Sequence, residues 1–314
     1  MELFWVVQIL AGMLVVSGGT ALVVYSLIHL ARTSFIKEYI IAFIIIGIAT
    51  SIPELIVALS AQVMGFPEIA YANAIGTSIV GMTFVAGMIA VFKRKLSTKN
   101  FFSSHDFGHL TLSTILLIVL TIDGRLSRFD GIILLAAFFY FLWNLFHYSK
   151  SFKLKEKETI RHPLLHVIIL FLALFGIYFA AEYAVYAVVE LRNLTVLPMF
   201  LITVVLLSPL GVIPELIYEF ALIHKNRSEL ALGDLFTNVV VNTTFITGIL
   251  AVIRPFTVGI SNLQYLSSLF LVVILIFFNY AARTKNDLNW KEGLILILAY
   301  FMYIVSIFFI QIGA

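Results

Sequence analysis

Long apolar stretches alternate with short polar connections along the whole chain. Each stretch has at least roughly the 20 residues that a helix needs to cross a bilayer, apart from one shorter stretch. We predict ten of them, at 3–30, 39–65, 68–92, 107–123, 129–148, 164–190, 195–224, 229–253, 263–282 and 291–312. The pattern therefore predicts an all-α integral membrane protein with ten transmembrane helices.

The composition agrees with this pattern. The 314 residues are 61% hydrophobic and 12% charged, with a mean hydropathy of +1.06, which excludes a soluble globular domain. The chain has no cysteine, so disulfides, iron–sulfur clusters and thiolate chemistry are excluded. The first apolar stretch follows Met1-Glu2 without a basic flank, which favours a retained helix over a cleaved signal peptide.

The basic residues predict how the chain is oriented. With ten helices, sixteen of the twenty Lys and Arg residues fall on one side of the membrane. These are Arg32, Lys37, Lys93, Arg94, Lys95, Lys99, Lys150, Lys153, Lys155, Lys157, Arg161, Lys225, Arg227, Arg283, Lys285 and Lys291. Because cytoplasmic loops are rich in Lys and Arg, we expect a multi-pass protein of the cell membrane with both termini extracytoplasmic.

The chain contains one unit twice. The sequence Ile-Pro-Glu-Leu-Ile occurs at Ile52–Ile56 and at Ile213–Ile217, and a shift of 161 residues aligns 52–91 with 213–252 at 13 identities in 40. Five helices are an odd number, so a second five-helix half would begin on the opposite side of the membrane. We therefore predict two inverted five-helix repeats, 1–148 and 164–314, joined by a cytoplasmic linker at 149–163. Such repeats are common in secondary transporters.

Each copy places a glutamate, Glu54 or Glu215, inside an apolar stretch. A carboxylate there costs about 2.5–3.5 kcal/mol on insertion scales, and such residues usually face a cavity or a pathway. The proline before each glutamate removes a backbone hydrogen bond, so the carbonyls of Ala49 and Leu210 should lose their helical partners. Together with nearby hydroxyls, these oxygens favour hard cations such as calcium, sodium or magnesium. The alternative is a proline kink whose acid is hydrogen-bonded to a neighbouring helix.

The helix after each motif carries polar residues at a spacing of four. They are Asn73, Thr77 and Gly81 in the first copy and Asp234, Asn238 and Asn242 in the second. Residues four apart share one face of a helix, which in a bilayer turns inward. Hydrogen bonding between helices is the alternative reading of this stripe.

These motifs resemble a known family. Ala49–Leu55 followed by Asn73–Ser78 resembles the first alpha-repeat of the calcium/cation antiporter superfamily, nearest its sodium/calcium exchanger branch. Pro209–Glu215 and Gly233–Asn242 resemble the second repeat. The resemblance implies two inverted five-helix halves, with an ion site formed by the second, third, seventh and eighth helices. It also implies that the first and sixth helices slide past this core to alternate access.

The resemblance assigns an ion site residue by residue. Several residues match the family's ion ligands or stand in their places. Their side chains are those of Thr50, Ser51, Glu54, Thr77, Glu215, Asn238 and Asn242. The resemblance also implies that the backbone carbonyls of Gly47 and Ser208 are ligands. Asn73 and its counterpart Asp234 lie in the same motifs, and Glu219 is a further acid one turn after Glu215. Gly211-Val212 stands where the family has a second Thr-Ser pair, so two hydroxyl ligands are missing.

We therefore expect a secondary active cation antiporter that exchanges Ca²⁺ for Na⁺ by alternating access. A Ca²⁺ or other cation/H⁺ antiporter is one alternative, and a passive or gated cation pathway on the same fold is another. No arrangement of a nucleophile or an acid–base pair indicates an enzyme. We expect no cofactor and no nucleic-acid partner; the partners are the transported ions and the lipid bilayer. The sequence carries no signal for an oligomeric state.

Overall fold

The fold is given by a computed structural model, which describes residues 1–31, 50–97, 104–148, 163–225, 228–258, 262–285 and 287–312. The described chain is mostly helical. Helices α1 to α5 are Glu2–Ala31, Ile52–Val63, Pro67–Lys93, Ser104–Leu120 and Arg128–Tyr148. Helices α6 and α7 are Pro163–Leu194 and Met199–His224, and α8 comprises Ser228–Val240, a π-helical turn and Thr247–Ile253. Helices α9 and α10 are Asn262–Lys285 and Trp290–Ile312.

Several of these helices can cross a membrane. Within the described residues, seven spans are long and apolar enough, and Ile52–Val63 and Leu110–Leu120 are shorter apolar helices. The seven are Glu2–Leu27, Pro67–Lys93, Leu164–Leu194, Met199–His224, Ala231–Ile253, Leu263–Ala281 and Trp290–Gln311. The spans of α3 and α8 are each 78% buried, whereas those of α6 and α10 are 22% buried. Helices α3 and α8 are therefore central, and α6 and α10 are peripheral.

Both glutamate-bearing helical segments begin directly after a break in the helical path. Ser51 precedes α2 with φ −89° and ψ −1°, and Val212 interrupts α7 with φ −84° and ψ −5°. These two residues are 161 apart, and the helical segments that follow, Ile52–Val63 and Ile213–His224, keep the same offset. The proline after each break cannot donate to the preceding turn, so the helix restarts there. The sequence repeat is thus also a repeat of local structure.

π-Helical turns interrupt the central helices. They lie at Gly81–Val85 in α3, Val241–Ile246 in α8 and Thr203–Leu207 in α7. The first two again occupy corresponding positions of the repeat. Such turns are rare and are frequent at functional sites, because they re-aim the side chains that follow.

Two short antiparallel ladders, which the sequence analysis did not predict, join the halves of the chain. Strand β1 (Lys95–Ser97) pairs with β4 (Asp287–Asn289), and β2 (Arg125–Leu126) pairs with β3 (Phe256–Thr257). In the first ladder Lys95 Nζ lies 2.8 Å from Asp287 Oδ2. This hydrogen bond and the charge of the carboxylate raise the pKa of the exposed Lys95 amine.

Glycines allow close contacts between helices of the two halves. A Cβ on Gly87 of α3 would lie 2.7 Å from the backbone oxygen of Gly293 in α10, and a Cβ on Gly131 of α5 would lie 2.8 Å from that of Gly248 in α8. Gly87 and Gly248 are 161 residues apart, so the two contacts are related by the repeat. The partner atoms are backbone, which has little room to move.

Gly87→Ala should therefore destabilise the protein. We expect a loss of about 1–3 kcal/mol in the free energy of unfolding, typical of overpacking, and a lower Tm in detergent. Gly176→Ala is the matched control, because no atom of the described residues lies within 4 Å of a Cβ at that position in α6. Equal Tm values for the two variants would contradict this packing.

Candidate functional site

The polar residues singled out in the sequence converge on α2, α3, α7 and α8, inside the protein. The side chains concerned are Thr50, Ser51, Glu54, Asn73, Thr77, Ser208, Glu215, Glu219, Asp234, Asn238 and Asn242, none more than 6% exposed. Gly47 lies outside the described residues, and Gly81 is buried in the π-helical turn of α3. The two copies of the repeat therefore contribute to one buried cluster.

Asn238 links three of the helices that form the cluster. Its Nδ2 donates to Glu215 Oε1 on α7 and lies 3.5 Å from Ser51 Oγ, directly before α2. A hydrogen bond from an amide to a buried carboxyl group satisfies that group and holds it in place. Asn238 thus holds the second-copy glutamate beside the hydroxyl of the first copy.

Asn242 extends this chain of contacts to α3. Its Nδ2 donates to Thr77 Oγ1 at 3.0 Å and to Asn238 Oδ1 at 2.6 Å. The Thr77 hydroxyl in turn donates to the backbone oxygen of Asn73 at 2.8 Å. Asn73 Oδ1 also accepts from Ser208 Oγ of α7 at 3.4 Å. The polar stripes of α3 and α8 therefore face each other within the cluster that contains the acids. They make the hydrogen bonds between helices that the alternative reading of these stripes requires.

The acids of the cluster lie close together. The carboxyl groups of Glu219 and Asp234 face each other, and Thr50 Oγ1 donates to Asp234 Oδ1 at 3.4 Å. Glu54 and Glu215 are near enough to repel one another electrostatically. Buried carboxylates at such separations need a proton or a cation to offset their charge.

Several oxygens of the cluster accept no hydrogen bond from the part of the chain that the structure describes. They are Glu54 Oε2, both carboxyl oxygens of Glu219 and Asn242 Oδ1, all buried. Buried polar atoms normally have a partner, so these oxygens mark places where a ligand or water would bind. Among the described residues, no three His, Cys, Asp or Glu side chains are arranged to hold a metal ion. A cation in this cluster would therefore be shared among carboxylates, hydroxyls and amide oxygens.

The backbone carbonyl of Leu210, which Pro214 is predicted to deprive of its helical donor, accepts a side-chain hydrogen bond. Ser17 Oγ of α1 donates to the backbone oxygen of Leu210 at 3.4 Å. Its counterpart, Ala49, lies outside the described residues. The break in α7 is thus tied to α1, a contact that the sequence analysis did not identify.

Gly76 is a second residue whose role the sequence analysis missed. A Cβ at this position would lie 2.8 Å from Ser208 Cβ, so α3 and α7 can approach each other only because residue 76 is a glycine. The signal was present, since Gly76 stands in the polar motif Asn73–Ser78. The reason for a glycine at this position depends on which helix packs against it, and the sequence does not give that helix.

A multi-pass helical membrane protein with carboxylates from broken helices gathered in a buried cluster belongs to the class of ion transporters. The comparison with protein families specifies that class. The family described as sodium/calcium exchanger protein matches residues 4–147 and 165–309. The chain therefore belongs to this family of transporters, and the predicted resemblance to the calcium/cation antiporter superfamily is confirmed.

Two curated relatives resemble the chain over most of its length, and a third resembles a shorter part of it. It is 24% identical over 316 residues to the inner membrane protein YrbG of Escherichia coli, covering 96% of each chain. It is 24% identical over 306 residues to the putative antiporter CaxA of Alkalimonas amylolytica, covering 94% of this chain and 96% of CaxA. The sodium/calcium exchanger MaX1 of Methanosarcina acetivorans is 30% identical over 123 residues, which are 38% of this chain and 34% of MaX1.

Solved structures share the fold. The H⁺/Ca²⁺ exchanger CAX superposes with a TM-score of 0.77 at 15% identity, covering 98% of this chain and 87% of CAX. The sodium–calcium exchanger NCX_Mj superposes with a TM-score of 0.68 at 21% identity, covering 98% and 99%. At these identities the likeness establishes the fold.

Proposed function

We propose that this chain is a secondary active antiporter that exchanges Ca²⁺ for Na⁺ across the cell membrane by alternating access. The observation that carries the proposal is a buried cluster of oxygen ligands to which each copy of the repeat contributes one glutamate, Glu54 or Glu215, with Asn238 connecting Glu215 to Ser51. Oxygen ligands and negative charge suit a hard divalent cation. The family to which the chain belongs supports transport rather than catalysis.

The proposal includes ten transmembrane helices in two inverted repeats, 1–148 and 164–314, with a linker at 149–163. The direction of the central helices supports inversion. Thr77 of α3 contacts Asn242 of α8, whereas Gly81, four residues later, faces the earlier Leu235. The equivalent helices α3 and α8 therefore run antiparallel, as inverted repeats require.

The orientation can be tested in this cysteine-free chain. Single cysteines at Glu2, Gln311 and Lys155 should divide into two groups. We expect an impermeant thiol reagent applied to intact cells to label the first two and not the third, because the basic loops lie in the cytoplasm. Permeabilised cells provide the control that position 155 can react. Equal labelling of all three positions from outside would contradict the topology.

The choice of Na⁺ as counter-ion rests on the retained hydroxyls. Thr50 and Ser51 are buried in the cluster and provide one complete hydroxyl pair, although Gly211-Val212 provides none at the matching position. A Na⁺ ion needs several oxygens around it, so we expect fewer Na⁺ ions per cycle than a symmetric site would bind. Proton coupling is the second candidate, favoured by the contact between the Glu219 and Asp234 carboxyl groups.

Vesicles containing the purified protein distinguish these counter-ions. We expect Ca²⁺ flux under a Na⁺ gradient at clamped pH, and little flux under a pH gradient in Na⁺-free medium. Protein-free vesicles and vesicles with an ionophore that collapses each gradient are the controls. Flux driven only by the pH gradient would replace Na⁺ by H⁺.

A further inference from the structure

We propose that Glu219 and Asp234, called here the acid pair, form a second subsite for a divalent cation within the buried cluster, one helical turn from Glu215 and Asn238. This subsite would lie between the Glu54–Glu215 site and the membrane face at which α7 ends and α8 begins, called here the 225–228 face. It rests on the proposed function, since it lies on the path that the transported ion would take. It gives the two faces of the transporter different affinities for the same cation.

The contacts of the acid pair support a ligand. Both carboxyl oxygens of Glu219 are buried, and no N–H or O–H group of the described residues donates to them. Its carboxyl group instead faces that of Asp234, and Asp234 accepts from the Thr50 hydroxyl. Two facing carboxylates and a hydroxyl supply oxygen ligands and charge for a hard divalent cation. A purely structural acid would be expected to have donors around it.

The depth of the pair places it to one side of the central site. Glu219 lies six residues before Lys225, at the end of α7, and Asp234 lies six residues after Ser228, at the start of α8. At ~1.5 Å per residue, both lie ~9 Å from this boundary, where α7 ends and α8 begins. Glu215 and Asn238 are each ten residues from it, so they lie ~15 Å deep, near the middle of a hydrocarbon core of ~30 Å.

The other half of the repeat has no such pair. The positions 161 residues earlier are Ala58 and Asn73, six residues from Met64 and Pro67 at the turn between α2 and α3. Both are buried, and neither is an acid. The fold is therefore nearly symmetric, whereas the charge along the pathway is not. A cation approaching from the 225–228 face meets two additional carboxylates before the central site.

Measurements of each face test the acid pair. The orientation of the protein in vesicles is determined by labelling a cysteine introduced at Lys225 with an impermeant reagent. Ca²⁺ is then applied to one face of the protein at a time. Glu219→Ala and Asp234→Asn replace the two acids by the residues at the equivalent positions of the other half, Ala58 and Asn73. We expect these substitutions to raise the Ca²⁺ concentration for half-maximal flux about tenfold at the 225–228 face. At the opposite face we expect less than a twofold change.

The matched variant moves the pair to the other half. Ala58→Glu with Asn73→Asp, in the background of Glu219→Ala and Asp234→Asn, should invert the difference between the faces. The face with the turn between α2 and α3 would then have the lower half-maximal concentration. Monodisperse elution in detergent shows which variants are folded, and Glu219→Gln provides a milder replacement if Glu219→Ala is not.

Each outcome bears on the proposal. Equal changes in the half-maximal Ca²⁺ concentration at both faces would mean that the acid pair acts as part of the central site. No change at either face would mean that the pair has a structural role only. Either result would overturn the subsite. If the unaltered protein shows no coupled Ca²⁺ flux, the proposed function fails on its own. Equilibrium binding of Ca²⁺ to the purified protein then decides the subsite: Glu219→Ala should remove one binding class that Glu54→Gln retains, and retention of both classes would overturn it.

Discussion

Replacing Glu54 or Glu215 by glutamine is expected to abolish Ca²⁺ flux while leaving the protein folded. The amide has nearly the size of the carboxylate, so the packing of α2 and α7 should hold. It lacks the negative charge that attracts a divalent cation, and charge count strongly tunes Ca²⁺ affinity. We therefore expect a reduction of at least about a hundredfold in flux for each variant, given the orders of magnitude that ligand charge controls.

Each substitution needs a folded, transporting control. Glu2→Gln makes the same chemical change at an exposed position in the first turn of α1 and should retain full flux. The Tm of all three variants in detergent should lie close to that of the unaltered protein. Near-normal Ca²⁺ flux in either Glu54→Gln or Glu215→Gln would remove that residue from the site.

Asn238→Leu is expected to have an effect of similar size for a different reason. The Asn238 amide donates to Glu215 and accepts from Asn242, so leucine breaks the chain of contacts that joins α7, α8 and α3. It also leaves a buried carboxylate without its donor. Uncompensated burial of a charge costs about 3–5 kcal/mol when a partner is removed. We therefore expect loss of flux together with a lower Tm.

Two further substitutions separate the loss of the Asn238 hydrogen bonds from the general effect of introducing a leucine. Asn238→Ser keeps a polar side chain that can donate a hydrogen bond and should recover part of the flux that leucine removes. Asn193→Leu makes the same change at an exposed position near the end of α6 and should leave flux and Tm unaltered. If Asn238→Leu transports at the normal rate, Glu215 does not depend on this amide.

Residue types and their spacing were enough to predict the helical membrane class and the members of the cluster. A carboxylate in a long apolar stretch is costly enough to stand out, and Pro53 and Pro214 predict the breaks seen at Ser51 and Val212. Family membership followed from the same motifs. The short ladders escaped prediction because strands of two or three residues carry no periodic pattern.

Contacts between distant segments could not be predicted from the sequence. Nothing along the chain indicates that Ser17 donates to the Leu210 carbonyl, or that Gly76 faces Ser208. Glu219 was recognised as an additional acid, but whether it would face Asp234 depended on how α7 packs against α8. Such pairings are set by tertiary packing, which local spacing does not encode.

Movement of Ca²⁺ against its own gradient tests the central claim most directly. Vesicles are loaded with Na⁺ and with Ca²⁺ at the same concentration as the medium, then diluted into Na⁺-free medium at constant pH with the membrane potential clamped. The account predicts that internal Ca²⁺ rises above external Ca²⁺, that the rise stops when the Na⁺ gradient is dissipated, and that Glu54→Gln abolishes it. Internal Ca²⁺ that never exceeds external Ca²⁺, under either a Na⁺ or a pH gradient, would contradict an antiporter and leave a passive pathway.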